Sequence, residues 1–401
     1  MIIDLTNEQK EIRKAAREFA QGEFDTFKAV ELDERHEFPK ELYKKAAELG
    51  FIGLDYPEEY GGGGAGVLEN TLTVEAFCQA DSGIGMAIHL AYLPAKIVRQ
   101  FGNDSQKKRI LPKVASGDYV SAVSFTEPNH GSDLTKVDTI AVDKGDRFVV
   151  NGTKTFTTNA SYADFSVVLV QTDPEARPAR GMATLLIEKE GKFSKNGTME
   201  ITEMPTKMGL KMVSSGEISF RDFEVPKENL LGKNGRGLIN LLEFLDESRI
   251  EIAAQSLGTA EGAFLKALSH VRAREQFGKP IIEFQGVGHK IARMFGDLMS
   301  AKSLLYYAAR MCEIGSKEHK TLIPMFTGIV KYLVPEHAKE IIDQTINMFG
   351  GYGYFIEQEV ERRYRDNRIC EIYEGTVEIQ LNTILRTLKS VNLDFLKEML
   401  L

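Results

Sequence analysis

Between about residues 119 and 225 the sequence gives up helical periodicity for β-branched and aromatic runs, among them Phe148-Val149-Val150, Phe165 to Val170 and Ile218 to Val225. Such side chains fit a pleated, half-buried surface, so this segment predicts strands. Within it Asn151-Gly152 predicts a hairpin turn, because both residue types tolerate positive φ. On either side the period is that of a helix. Thr6 and Gln9 have capping-box spacing ahead of an apolar stripe at Ile12, Ala15, Ala16 and Phe19, and Pro39 suits the start of a second helix. After Pro226 the only prolines are Pro280, Pro324 and Pro335, while Leu241, Leu245, Ile252 and Leu257 keep helical spacing. The expected organisation is α+β and multi-domain: helical over 1–118, β over 119–230, helical over 231–401.

A chain of 401 residues that is 43% apolar can fill two or three packed units. Its net charge of −8 is spread among interleaved charges of both signs, which argues against nucleic acid or an anionic membrane as partner. Cys78, Cys312 and Cys370 are scattered, without the CxxC or His/Cys spacing of a metal site, and read as structural thiols in a reducing compartment. No stretch approaches the roughly 20 apolar residues of a membrane span, and the first residues lack a secretory leader pattern. The expectation is a soluble, cytoplasmic protein with no metal and no membrane insertion.

Gly61-Gly62-Gly63-Gly64-Ala65-Gly66 formally satisfies GxGxxG, with Asp81 downstream. A dinucleotide fold needs a strand immediately before those glycines, and Pro57-Glu58-Glu59-Tyr60 is not one, so a plain glycine turn is the better reading. GxxxxGK[ST] and GxSxG are both absent, which removes the usual supports for phosphate hydrolysis and serine-esterase chemistry.

Five other segments occur in order: Phe125-Thr126-Glu127-Pro128-Asn129-His130-Gly131-Ser132-Asp133, Gly152 to Asn159, Arg274 to Pro280, Phe349-Gly350-Gly351-Tyr352-Gly353 and Ile372-Tyr373-Glu374-Gly375-Thr376. Each is weak alone. Together they resemble the acyl-CoA dehydrogenase family, over a span from about Leu5 to Arg386.

That resemblance implies an N-terminal helical domain, a middle β-barrel-like domain and a C-terminal four-helix bundle. It also implies FAD held in extended form, with adenine-side contacts from a neighbouring subunit. By similarity Phe125 and Thr126 line the flavin ring, Phe156 and Thr158 cover its other side, and Gly131 and Ser132, in the loop that follows Thr126, are further cofactor contacts. Many relatives carry Trp where Phe156 stands, and this chain has no Trp. Arg274, Phe277 and Gln285 match contacts to the pyrophosphate and adenosine across a dimer; Gly350 and Gly351 admit backbone to the same pyrophosphate; Asn347 replaces a more usual Gln, and Thr376 and Glu378 continue the flavin-binding segment.

On the substrate side, the resemblance places Ser132, Asp246 and Arg249 near the CoA pantetheine, and Tyr373 and Gly375 beside the thioester. Glu374 is the implied base. Some relatives carry the base instead on the earlier helix, where Ser248 stands here. The implied reaction is α,β-dehydrogenation of an acyl-CoA, with electrons passed to an electron-transferring flavoprotein by a homotetramer. An oxidase using oxygen, and a flavin- or CoA-binding assembly factor, are the alternatives. Decarboxylating glutaryl-type members carry Arg where Gly85 stands, which argues against a glutaryl substrate. Gly85 with His89 suggests a short, branched, cyclic or aryl-substituted acyl group, and a satisfied core or helix-face histidine is the competing reading of His89.

Overall fold

The computed structural model describes residues 4–189, 197–204, 206–313 and 317–400. Among the described residues, helices occupy Asn7 to Ala115, eight strands follow between Ser121 and Leu231, and helices return from Gly237 onward. By contacts the chain forms two compact units: Met1–Arg17, Val67–Ser82 and Asp246–Leu401 make one, and Glu18–Gly66 with Gly83–Leu245 make the other.

The strands are β1 (Ser121–Ser124), β2 (Ile140–Asp143), β3 (Arg147–Thr158), β4 (Phe165–Gln171), β5 (Met182–Glu188), β6 (Thr198–Glu203), β7 (Ser215–Pro226) and β8 (Leu230–Leu231). They form one sheet in the order β6-β7-β3-β2-β4-β5-β8, with β1 parallel to β4. Phe148 and Val150 of β3, Val168 of β4, Leu185 of β5 and Phe220 of β7 pack into one buried cluster. Strands this far apart in the sheet order share a core only if the sheet wraps around it, which accounts for the barrel-like character.

The Asn151-Gly152 expectation fails. The β2–β3 reversal lies earlier, at Asp143 to Arg147, where Lys144 N–H donates to Arg147 O at 2.8 Å and Gly145 has φ +96°. β3 runs straight through Asn151-Gly152 with a register shift against β7. Glycine is needed there for another reason: a Cβ on Gly152 would come within 2.5 Å of Thr139 Cα. Asn151 instead exchanges hydrogen bonds with Asp222, accepting from its N–H at 2.8 Å and donating to its carboxylate at 3.0 Å.

The capping box holds: Thr6 N–H donates to Gln9 Oε1 at 3.0 Å, and Gln9 N–H to Thr6 Oγ1 at 3.1 Å. Pro39 does precede a helix, Lys40–Glu48, but it is the third and not the second. The missed one, Thr26–Arg35, is capped by Asp25, which accepts from Lys28 N–H at 2.9 Å.

The helices Gly237–Ala273, which enters the first unit at Asp246, Gln285–Glu313, Lys317–Phe349 and Val377–Ser390 make the four-helix bundle. Lys317–Phe349 continues through both Pro324 and Pro335, so packing outweighs the lost hydrogen bonds. The Val67–Ala80 helix joins this unit through buried polar contacts. Arg363 donates to the carbonyls of Cys78, Gln79 and Ala80, the orphan acceptors at that helix's end, and Arg362 forks onto Asp81 at 2.9 and 2.6 Å. Among the described residues no helix is long and apolar enough to cross a membrane. The glycine run Gly61–Gly66 follows a short 3₁₀ turn, Glu58–Tyr60, and leads into a helix, as a plain turn should.

Candidate active site

In the first unit, Glu374 sits in the turn between the 3₁₀ segment Arg368–Glu371 and the helix Val377–Ser390, whose N-cap is Thr376. Glu374 has φ +58° and Gly375 φ +96°. A non-glycine residue in the left-handed region costs about 1–3 kcal/mol and persists only where its surroundings fix it. Here three side chains do so. Arg249 Nε donates to Glu374 O at 3.3 Å, Gln380 Nε2 to Glu374 O at 3.1 Å and Gly375 O at 2.8 Å, and Lys331 Nζ to Gly375 O at 2.9 Å.

The Glu374 carboxylate accepts from Ser248 Oγ at 2.8 Å. Burial pushes its pKa up; the Ser248 hydrogen bond and the charges of Arg249 and Lys331 oppose that, and Glu251 adds to it. Its backbone N–H has no acceptor among the described residues. Tyr373 donates its hydroxyl to Gln255 Oε1, which fixes the residue before Glu374. Arg249 is almost fully buried and lies 3.6 Å from Asp246, so this is no solvated surface pair.

The same unit contains a cavity of about 810 Å³ lined by His270, Arg274, Gln276, Phe349, Gly350 and Gly351 with neighbouring residues. Gly350 has φ +59°, and a Cβ on either glycine would meet nothing within 4 Å, so backbone is open to a ligand. An arginine over exposed glycine backbone is a suitable seat for phosphate oxygens. His270 stacks on Phe349 with centroids 4.2 Å apart. Of the expected cofactor residues, Arg274, Gly350 and Gly351 meet at this cavity. Phe277 stands at the tip of the hairpin formed by Glu275–Gln276 and Lys279–Pro280, 94% exposed with φ +52°, and Gln285 is exposed at the next helix start. Asn347 turns its amide back to its own helix, donating to Asp343 O at 3.1 Å, and Glu378 is exposed in the first turn after Thr376.

In the second unit, the loop after β1 is pinned from beneath. Glu127 is buried and accepts from Lys154 Nζ at 2.7 Å, Asp138 N–H at 2.5 Å and Thr139 N–H at 2.9 Å. Burial works against this carboxylate, yet Lys154 and the amide donors hold its pKa below the usual range. Burial lowers that of Lys154 to about 8. Thr155 N–H donates to Thr126 O at 2.9 Å, tying the loop to β3. The Phe125 ring meets Phe244 edge-on, and Gly131 and Ser132 are exposed. A register shift in β3 between Lys154 and Thr157 turns Phe156 outward, 65% exposed with φ +53°, with Thr158 half-buried nearby. Gly85 and His89 lie one helical turn apart on Ser82–Tyr92, both buried, and the His89 ring packs edge-on against Tyr92 at 5.4 Å.

Three family models match in succession: the acyl-CoA dehydrogenase N-terminal domain over 6–118, the middle domain over 122–223 and the C-terminal domain over 235–389. The chain belongs to the acyl-CoA dehydrogenase family. It is 37% identical to the short-chain specific acyl-CoA dehydrogenase of Clostridium acetobutylicum, over 95% of this chain and 97% of that one. It is 35% identical to the caffeyl-CoA reductase-Etf complex subunit CarC of Acetobacterium woodii, over 94% and 96%. The solved butyryl-CoA dehydrogenase of Megasphaera elsdenii superposes with a TM-score of 0.89 at 32% identity, covering 97% of this chain and all of that one. As a member of this family the chain is an FAD-dependent oxidoreductase acting on acyl-CoA.

Sequence reasoning missed Lys331, Gln380, Gln255 and the Glu127–Lys154 pair. One signal was available: Lys331 stands between Ile329-Val330 and Tyr332-Leu333-Val334, where a lysine needs a reason.

Proposed function

We propose that this dehydrogenase removes hydrogen from the α and β carbons of an acyl-CoA thioester with Glu374 as the base. The observation that carries the reading is the environment of Glu374: its carboxylate receives Ser248 Oγ while burial raises its pKa. A thioester α-proton is weakly acidic, so its base gains from a pKa brought towards that of the task. The unengaged Glu374 N–H supplies a donor for the thioester oxygen as negative charge develops there.

FAD when bound supplies the hydride acceptor for the β-carbon. The residues present fit it. In the first unit Arg274, Gly350 and Gly351 line a cavity suited to phosphate oxygens, and the resemblance adds Phe277, Gln285, Asn347, Thr376 and Glu378 as further proposed contacts, those of Arg274, Phe277 and Gln285 being made across a dimer. In the other, Phe125, Thr126, Gly131, Phe156 and Thr158 offer apolar faces and hydroxyls for a flavin ring. Ser132, Asp246, Arg249, Tyr373 and Gly375 are the proposed thioester-side residues, of which Arg249 and Gly375 act through the turn that aims Glu374.

The proposed acyl group is short, branched, cyclic or aryl-substituted, with Gly85 and His89 at its end. The short-chain and caffeyl-CoA relatives support that range. An electron-transferring flavoprotein is the proposed electron partner, supported by the Etf complex to which the caffeyl-CoA relative belongs. The proposed assembly is a homotetramer. Bleaching of the flavin absorbance under anaerobic conditions tests the reading against linear, branched, cyclohexane-carboxyl and aryl-succinyl thioesters. Reduction by one of the short or substituted thioesters is expected; reduction by palmitoyl-CoA alone overturns the acyl assignment.

A further inference from the structure

Lys331 is fully buried on the helix Lys317–Phe349, among apolar neighbours in sequence such as Val330 and Val334 that are also fully buried. Taking an ammonium out of water costs several kcal/mol unless something compensates. Among the described residues Lys331 makes no direct ion pair; its hydrogen bond goes to Gly375 O at 2.9 Å. Gln380 already donates to that carbonyl at 2.8 Å without any charge. A neutral side chain would therefore serve to hold the turn, and what lysine adds is a positive charge one residue from the base.

We propose that Lys331 is a positioning residue for Glu374: it fixes the Glu374–Gly375 turn and, through its buried charge, sets the pH above which Glu374 can accept a proton. This rests on Glu374 being the base. The charged and titratable groups that face the pair come from three elements. Arg249 and Glu251 lie on Gly237–Ala273, Lys331 on Lys317–Phe349, and Cys370 and Glu371 on the 3₁₀ segment before the turn. The Tyr373 ring lies 6.0 Å from Lys331 Nζ. Burial lowers the pKa of Lys331 to about 8, so it is charged below that pH. Its charge favours the carboxylate, partly offsetting the upward push of burial on Glu374.

The test follows the protonation of Glu374 directly. In the holoprotein, the infrared C=O band of the protonated carboxyl, identified by its absence in Glu374→Gln, is titrated in the wild type, Lys331→Met and Lys331→Gln. The same proteins are assayed for flavin bleaching by acyl-CoA across pH. In both Lys331 variants the band's midpoint and the acidic limb of the bleaching rate are expected to move up by about one pH unit. The Gln variant keeps a donor for Gly375 O, so it carries the test alone if the Met variant does not fold. Unmoved midpoints with a rate lowered equally at every pH would overturn the proposal and leave Lys331 as structural support. Undiminished bleaching in Glu374→Gln would instead overturn the base assignment, whatever the infrared midpoint does.

Discussion

Ser248 Oγ donates a 2.8 Å hydrogen bond to Glu374 Oε2 across 126 positions of sequence. By the resemblance, these are the two positions at which relatives place the proposed base, and the fold brings them to hydrogen-bonding distance of one another. A carboxylate on either backbone could thus serve one reacting carbon. With serine at one of them, the side chain left over becomes a donor that steadies the other.

Ser248→Ala removes that donor, so the carboxylate form of Glu374 loses stabilisation and its pKa rises further. In the proposed mechanism the carboxylate is the active form, so reduction is expected to fail at a higher pH than in the wild type. Stopped-flow bleaching across pH should show the acidic limb moved up by about one unit, the equivalent of roughly 1.4 kcal/mol.

Lys154→Met leaves Glu127 buried without its cation. Breaking a buried pair from one side costs roughly 3–5 kcal/mol, and the loop from Phe125 to Ser132 should loosen with it. Denaturant unfolding measures the loss. Adding Glu127→Gln should return part of it, because the uncompensated charge is then gone.

Much of this was legible beforehand because it is local. The capping box and the strand texture of 119–225 are written in neighbouring residues, and the motif around Glu374 gains its meaning from its order with four others. What was hidden depends on contacts far apart in sequence. Asn151-Gly152 looks like a hairpin until Thr139 is seen against Gly152, and the glycine proves to serve close approach. Asp25 resembles any surface aspartate until its helix is seen to begin beside it. Lys331 and Gln380 meet Gly375 from two separate helices, and no spacing rule connects them. His89 was read two ways; it is buried and packs on Tyr92, a contact compatible with both.

Arg274→Met should weaken cofactor retention, since it removes the guanidinium at the glycine-lined cavity. Losing a charge-assisted contact of roughly 1.5–3 kcal/mol corresponds to at least a tenfold weaker affinity. Flavin released on dilution and gel filtration measures it, with the far-UV spectrum expected to stay unchanged.

The most direct test of the account is a single anaerobic turnover of Glu374→Gln with a thioester that bleaches the wild type. Glutamine keeps the shape of the side chain and its contact with Ser248 but cannot take a proton. The variant should retain FAD with an unaltered visible spectrum and lose at least about 10²-fold in bleaching rate, the lower end of what a positioned base contributes. Bleaching at the wild-type rate would contradict the assignment of Glu374 as the base.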